Sequence, residues 1–265
     1  MHFRLSNGLA QAYHVRGAGR LVMFLHSIGT RGAFWDPLVD RIEDRCRCVT
    51  VDLRGHGDSD VPRERFTLDD LANDVIELLR IESKGDAILV GCSLGGMVAQ
   101  AVALKAPELL SGLVLADTSH RQSEESRKAV LQRAEDSLKG MPAMLHSTLS
   151  RWFPAPFLAL QGPEVAACRK WLLEDDPVVF SWGWQAISEL DFGDRIAGIK
   201  IPTLVVRGSV DASASREAMQ AMAKLLPHAR YAEIEGAGHV APLEQPDAFA
   251  DLLLDFFAKD LSPKT

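Results

Sequence analysis

Ala87-Ile88-Leu89-Val90-Gly91-Cys92-Ser93-Leu94-Gly95-Gly96 is the stretch on which the reading of this chain turns. Four continuously apolar residues read as a strand buried on both faces, and Met97 to Lys105 reads as a helix that stops before Pro107. Between them lies Gly-x-Ser-x-Gly. At a sharp strand-to-helix elbow the middle serine is forced into strained dihedrals and its neighbours must be small, which Gly91, Gly95 and Gly96 allow. The Ser93 hydroxyl would then stand above the sheet at a helix N-terminus, where backbone N–H groups favour developing negative charge. A phosphate-binding turn would need a lysine or a longer glycine spacing, and neither is present.

Working outward, short apolar strands are expected at Leu21 to Leu25, Arg47 to Asp52, Gly112 to Ala116, Thr203 to Arg207 and Arg230 to Ile234. Segments of helical period separate them. Leu68-Leu71-Ala72-Val75-Leu78-Leu79 follows Thr67, a fitting N-cap, with Asp69 and Asp70 in the first turn. Further helices are expected from about Ser215 to Leu226 and Pro246 to Phe257. Strand and helix in alternation predict an α/β fold with a mostly parallel central sheet flanked by helices. From Ser119 to Leu190 the pattern changes: helical periods dominate and Trp and Pro become frequent. We therefore expect a core formed by residues 1–118 and 191–265 and an inserted helical cap formed by 119–190.

A formal charge of −7 over 265 residues argues against a nucleic-acid partner, and the nearest basic cluster, Arg63 with Arg65, is broken by an acid. No apolar run approaches the roughly 18 residues needed to span a bilayer, and the N-terminus lacks a signal peptide's apolar block. A cytoplasmic protein with no membrane partner is expected. Cys46, Cys48, Cys92 and Cys168 are too few for a disulfide framework, and Cys46-Arg47-Cys48 is one residue too tight for the usual metal loop. They read as reduced packing thiols, with no metal.

Serine is a poor nucleophile unless a base takes its proton. Of eight histidines, His239 in Glu235-Gly236-Ala237-Gly238-His239 follows the last predicted strand in a loop free to reach over Ser93. His26 and His56 also follow strands but lie in turn-like segments and read as structural. The base needs an acid to hold its tautomer. Asp211, reached from the strand at Thr203 through Gly208-Ser209-Val210, is the candidate, with Asp117 at the end of another strand as its competitor. Asp52 reads as the residue that orients the Arg54-Gly55-His56-Gly57 loop. Acyl transfer also needs N–H donors aimed at the oxyanion. Leu94 supplies one from the elbow, and Ile28, in the loop after Leu25, is the choice for the second.

These residues together resemble the α/β-hydrolase family along essentially the whole chain: the order Ser93, Asp211, His239, the elbow, Asp52-Leu53-Arg54-Gly55-His56-Gly57-Asp58-Ser59, and Gly236-Ala237-Gly238-His239. Ser27-Ile28-Gly29-Thr30 with Trp35-Asp36, and Arg151-Trp152-Phe153 in the cap, look like the 3-oxoadipate enol-lactonase branch; many relatives carry His-Gly where this chain has His26-Ser27. The resemblance implies hydrolysis of a small enol-lactone bearing a carboxylate, without cofactor: Ser93 attacks the carbonyl, His239 shuttles protons, and water releases the acid. It implies Arg151 as the carboxylate clamp and Trp152, with Trp182 and Trp184, as pocket wall. A broad carboxylesterase, a carbon-carbon hydrolase, a perhydrolase or a ligand receptor could use the same fold.

Overall fold

The computed structural model describes residues 1–83 and 85–261; Lys84 of the expected 1–118 segment and the last four positions of the expected 191–265 segment lie outside the described residues. Eight strands form one sheet: β1 (His2–Arg4), β2 (Ala10–Arg16), β3 (Arg20–Leu25), β4 (Cys46–Val51), β5 (Ala87–Cys92), β6 (Leu110–Ala116), β7 (Thr203–Gly208) and β8 (Ala229–Ile234). Their order is β1-β2-β4-β3-β5-β6-β7-β8. From β4 across to β8 all pairings are parallel, whereas β1 and β2 add an antiparallel edge. The six expected strands are all present. β1 and β2 were not expected, because their sequences carry no sustained apolar run; β2 instead gains its place by pairing with β4 and burying Gln11, Ala12 and Tyr13.

The central strands β3, β5 and β6 are buried almost throughout, as strands covered by helices on both faces must be. Around them pack α1 (Asp36–Ile42), α2 (Leu68–Glu82) and α3 (Leu94–Lys105). Thr67 caps α2 in a reciprocal box with Asp70. The helix after Ser93 begins at Leu94, three residues earlier than the apolar pattern from Met97 suggests, because the glycines that read as loop are its first turn.

Between β6 and β7 the chain forms five helices: α4 (Glu124–Ser137), α5 (Met141–Trp152), α6 (Ala155–Leu160), α7 (Pro163–Glu174) and α8 (Pro177–Ser188). Here α4 packs on α8 and α5 on α7. The outgoing and returning strands of this excursion pair with each other: Arg121 and Asp191 form an antiparallel bridge, flanked by Phe192 N–H to His120 O at 2.9 Å and Gln122 N–H to Leu190 O at 3.1 Å. The core then closes with α9 (Arg216–Leu225), α10 (Ala241–Glu244) and α11 (Pro246–Asp260). No helix among the described residues is long and apolar enough to cross a membrane.

Parallel register brings the ends of the strands to one edge. Leu25 pairs with Gly91, Cys92 with Ala116, Ala116 with Val206 and Gly208 with Ile234. The loops bearing Ile28, Ser93, Asp117, Asp211 and His239 therefore all leave the carboxyl edge of the sheet, where open α/β sheets bind ligands.

Candidate active site

Ser93 sits between β5 and α3 with φ +53° and ψ −115°, a conformation that costs a non-glycine residue about 1 to 3 kcal/mol. The surrounding packing enforces it. A Cβ on Gly91 would lie 2.2 Å from Gly95 O, and one on Gly95 would lie 2.1 Å from Leu25 O, so the elbow closes only with glycine at both positions. Ser93 N–H donates to Ala116 O at 2.9 Å and Gly95 N–H to His26 O at 3.1 Å, which ties the elbow to the loops on either side.

His239 Nε2 lies 2.9 Å from Ser93 Oγ, and its Nδ1 lies 3.0 and 3.1 Å from the two carboxylate oxygens of Asp211. The pattern fixes the tautomer: Nδ1–H donates to Asp211, and Nε2 accepts from the serine hydroxyl. All three side chains are buried. Asp211 is held in turn by Ser213 N–H at 2.7 Å. The competitor, Asp117, faces elsewhere. Its carboxyl accepts Gly208 N–H at 2.7 Å and Ala241 N–H at 3.3 Å, so it binds together the two loops that carry Asp211 and His239. Complete burial, then the charge of Asp211, push its carboxyl well above the usual range.

On the other side of the elbow, Thr30 N–H donates to Ser27 O at 3.2 Å and so closes the turn that contains Ile28. Leu94, the first residue of α3, has an N–H with no intrahelical acceptor. His26 Nε2 accepts Leu53 N–H at 2.9 Å and its Nδ1–H donates to Ser27 O at 2.8 Å, a purely structural role. His56 stacks edge-on against it with ring centroids 5.2 Å apart. Asp52 accepts Asp58 N–H at 2.8 Å, at the far end of the loop it was expected to orient, and Gly32 N–H at 2.6 Å from the segment after β3.

A cavity of about 60 Å³ opens on Ser93 and His239, with Asp117, Arg133, Arg151 and Trp184 in its wall. A larger cleft of about 690 Å³ near Arg4 and Arg63 contains none of the groups just described. The Arg151 guanidinium carbon lies 4.9 Å from the centre of the Trp184 ring, and its Nη2 is buried without an acceptor. Burial above all, then the charge of Arg133, pull Arg151 down to about 9, against the opposing pull of Asp211; it stays a cation at neutral pH. Trp152 departs from expectation. It is fully buried, it does not line this cavity, and its ring lies beneath Gly29. What reaches the site from Trp152 is its carbonyl, which accepts His239 N–H at 2.9 Å. Trp182 does not line the cavity either, whereas Trp184 does.

Arg133 was missed by sequence reasoning. It lies in α4, a strongly polar helix, three residues after buried Val130 and one before buried Ala134. That spacing was the available signal. The four cysteines are all free and buried. No cluster of His, Cys, Asp or Glu among the described residues is arranged to hold a metal ion.

A family model described as the alpha/beta hydrolase family matches residues 22–252. The chain is 28% identical to 3-oxoadipate enol-lactonase 1 of Acinetobacter baylyi, over 89% of this chain and 87% of that one. It is 25% identical to an (E)-2-((N-methylformamido)methylene)succinate hydrolase of the same organism, over 92% of each. Among solved structures, the enol-lactonase of Burkholderia xenovorans superposes with a TM-score of 0.90 at 28% identity, covering 98% of this chain and 100% of that one.

Proposed function

The chain belongs to the alpha/beta hydrolase family, and from that premise we propose that it hydrolyses a small carboxylate-bearing enol-lactone or ester through an acyl-enzyme on Ser93. His239 takes the serine proton as Ser93 Oγ attacks the carbonyl carbon, and Asp211 stabilises the imidazolium that forms. The N–H groups of Leu94 and Ile28 receive the negative charge of the tetrahedral intermediate. Collapse expels the leaving oxygen, which takes the proton from His239; for a lactone it stays attached to the acyl chain. Water, deprotonated by His239, then attacks the acyl carbon; the acyl–Oγ bond breaks, His239 returns the proton to Ser93 Oγ, and the acid is freed.

One observation carries the choice of an acidic substrate: the Arg151 guanidinium stands in the wall of the cavity beside Ser93 and His239, and among the described residues no carboxylate is paired to it. A guanidinium fork matches a carboxylate through two parallel hydrogen bonds, and a dry pocket strengthens the pair. Likeness to an enol-lactonase and to a substituted-succinate hydrolase supports the same class. In this reading residues 119–190 act as a cap.

The test compares kcat/KM for 3-oxoadipate enol-lactone with that for p-nitrophenyl acetate, in the wild type and in Arg151→Ala. A site built around a buried polar pairing discriminates by about 10⁴ or more, an apolar pocket by about 10². Lactone preference that collapses in Arg151→Ala is the expected result. Equal or better turnover of the neutral aryl ester makes the protein a broad carboxylesterase instead.

A further inference from the structure

We propose that the cavity above Ser93 takes a substrate bearing two carboxylates on a short carbon chain, one read by Arg151 and the other by Arg133. The inference rests on the hydrolase reading for the identity of the cavity as a substrate site, and goes beyond it by adding a second anion and the residue that selects for it.

Two cations share one ring. The guanidinium carbons of Arg133 and Arg151 lie 5.2 and 4.9 Å from the centre of Trp184. Both side chains line the same cavity as Ser93 and His239. Neither forms a hydrogen bond or ion pair through its guanidinium among the described residues, whereas other partly buried arginines do: Arg54 grips Asp74 through two bonds of 2.6 Å, and Arg207 donates to Ala214 O at 2.8 Å and Asp211 O at 2.7 Å. Contact with the face of an indole offsets part of a cation's lost hydration, but it offers no oxygen to the N–H groups. The Nη2 of Arg151 and the Nε1 of Trp184 are both sealed from solvent without an acceptor.

Such an arrangement is expensive as it stands. Two like charges are held near each other in a partly dry space, and burial already weakens both guanidinium groups. The wall also holds Asp117, Gln122 and hydroxyl side chains, but among the described residues none of them is bonded to either guanidinium, and the unmet donors of the two forks call for a ligand rich in acceptors. One carboxylate satisfies one fork and leaves the other cation unpaired. Because both cations are tethered to the same ring, their centres are no further apart than the sum of the two ring distances, a span a short dicarboxylate bridges. A single phosphate concentrates its charge on one centre and serves this pair less well than two separated carboxylates.

Calorimetric titration of the protein with succinate, butyrate and inorganic phosphate reads the second site without requiring turnover. Succinate is expected to bind at least about tenfold more tightly than butyrate or phosphate, since a charge-assisted pair is worth about one to two powers of ten in affinity. Arg133→Gln should lower succinate affinity to the level of butyrate, and Arg133→Lys, which keeps the charge without the fork, should fall between. Equal binding of succinate and butyrate by the wild type, tightest binding of phosphate, or an undiminished succinate preference in Arg133→Gln each overturns the inference; the first two need no variant to fold. Labelling of Ser93 by a fluorophosphonate tests the hydrolase reading separately. A protein that labels but ignores the second carboxylate loses only this inference, and one that prefers succinate but does not label loses only the reading.

Discussion

The main-chain carbonyl of Trp152, at the end of α5, accepts a hydrogen bond from the main-chain N–H of His239 at 2.9 Å. The helices inserted between β6 and β7 thus hold the backbone of the proposed base directly, besides roofing it. The α5 end of the insertion cannot swing away without releasing His239.

Gly238→Ala tests this contact. A Cβ there would lie 2.6 Å from Trp152 O and 2.8 Å from Pro154 Cδ, so the His239 loop and the end of α5 must part. A misplacement of about 1 Å in a catalytic group costs on the order of 10²-fold. We expect kcat to fall by about that factor in steady-state assays, with the far-ultraviolet circular dichroism of the wild type retained.

Asp211→Asn and Asp117→Asn separate the two carboxyls. Asp211 faces His239 Nδ1, and an amide there favours the wrong tautomer, so kcat should drop by about 10⁴. Asp117 holds only backbone N–H groups, and its replacement by asparagine should cost stability, about 1 to 3 kcal/mol in denaturant unfolding, with far less loss of rate. A deeper kinetic loss in Asp117→Asn than in Asp211→Asn would reverse the assignment.

Glu244 makes stability depend on pH. Both its carboxyl oxygens accept Gly238 N–H, at 2.9 and 3.1 Å, yet burial outweighs these bonds and pushes its carboxyl up to about 7 from about 4.5. The folded state therefore binds a proton that the unfolded chain has already released between those two values. Its contribution is fully present below about pH 4.5 and is lost as pH rises to about 7. Glu244→Gln should flatten the fall of Tm across that interval in calorimetric scans, with its largest relative gain at the upper end.

Gly95→Ala should be more damaging than either loop substitution. The added methyl meets the Leu25 backbone at 2.1 Å, and neither β3 nor the first turn of α3 can retreat from the centre of the sheet. A loss of at least about 3 kcal/mol in urea unfolding is expected.

The parallel strands were legible because burial on both faces leaves an unbroken apolar run, and Ser93, Asp211 and His239 because each follows such a run in a glycine-bearing loop. The structure brings those three side chains within hydrogen-bond reach. β2 was not legible, since an edge strand is recruited by the neighbour it pairs with and need not be apolar itself. The resemblance implied Trp152 as pocket wall, but it packs under Gly29, and Arg133, which the sequence did not single out, lines the cavity; which side of a helix meets the core depends on packing that periodicity alone leaves open.

The bridge between Arg121 and Asp191 fixes where the insertion begins and ends. Because the two crossings are neighbours, the sheet experiences everything between them as a hairpin of almost no span, whatever its length. Lengthening, shortening or exchanging those helices puts no tension on β6 or β7. The one tie that such a change must preserve is the Trp152 carbonyl under His239, so the sheet asks of the whole excursion a single fixed contact and leaves the remainder of its course unconstrained.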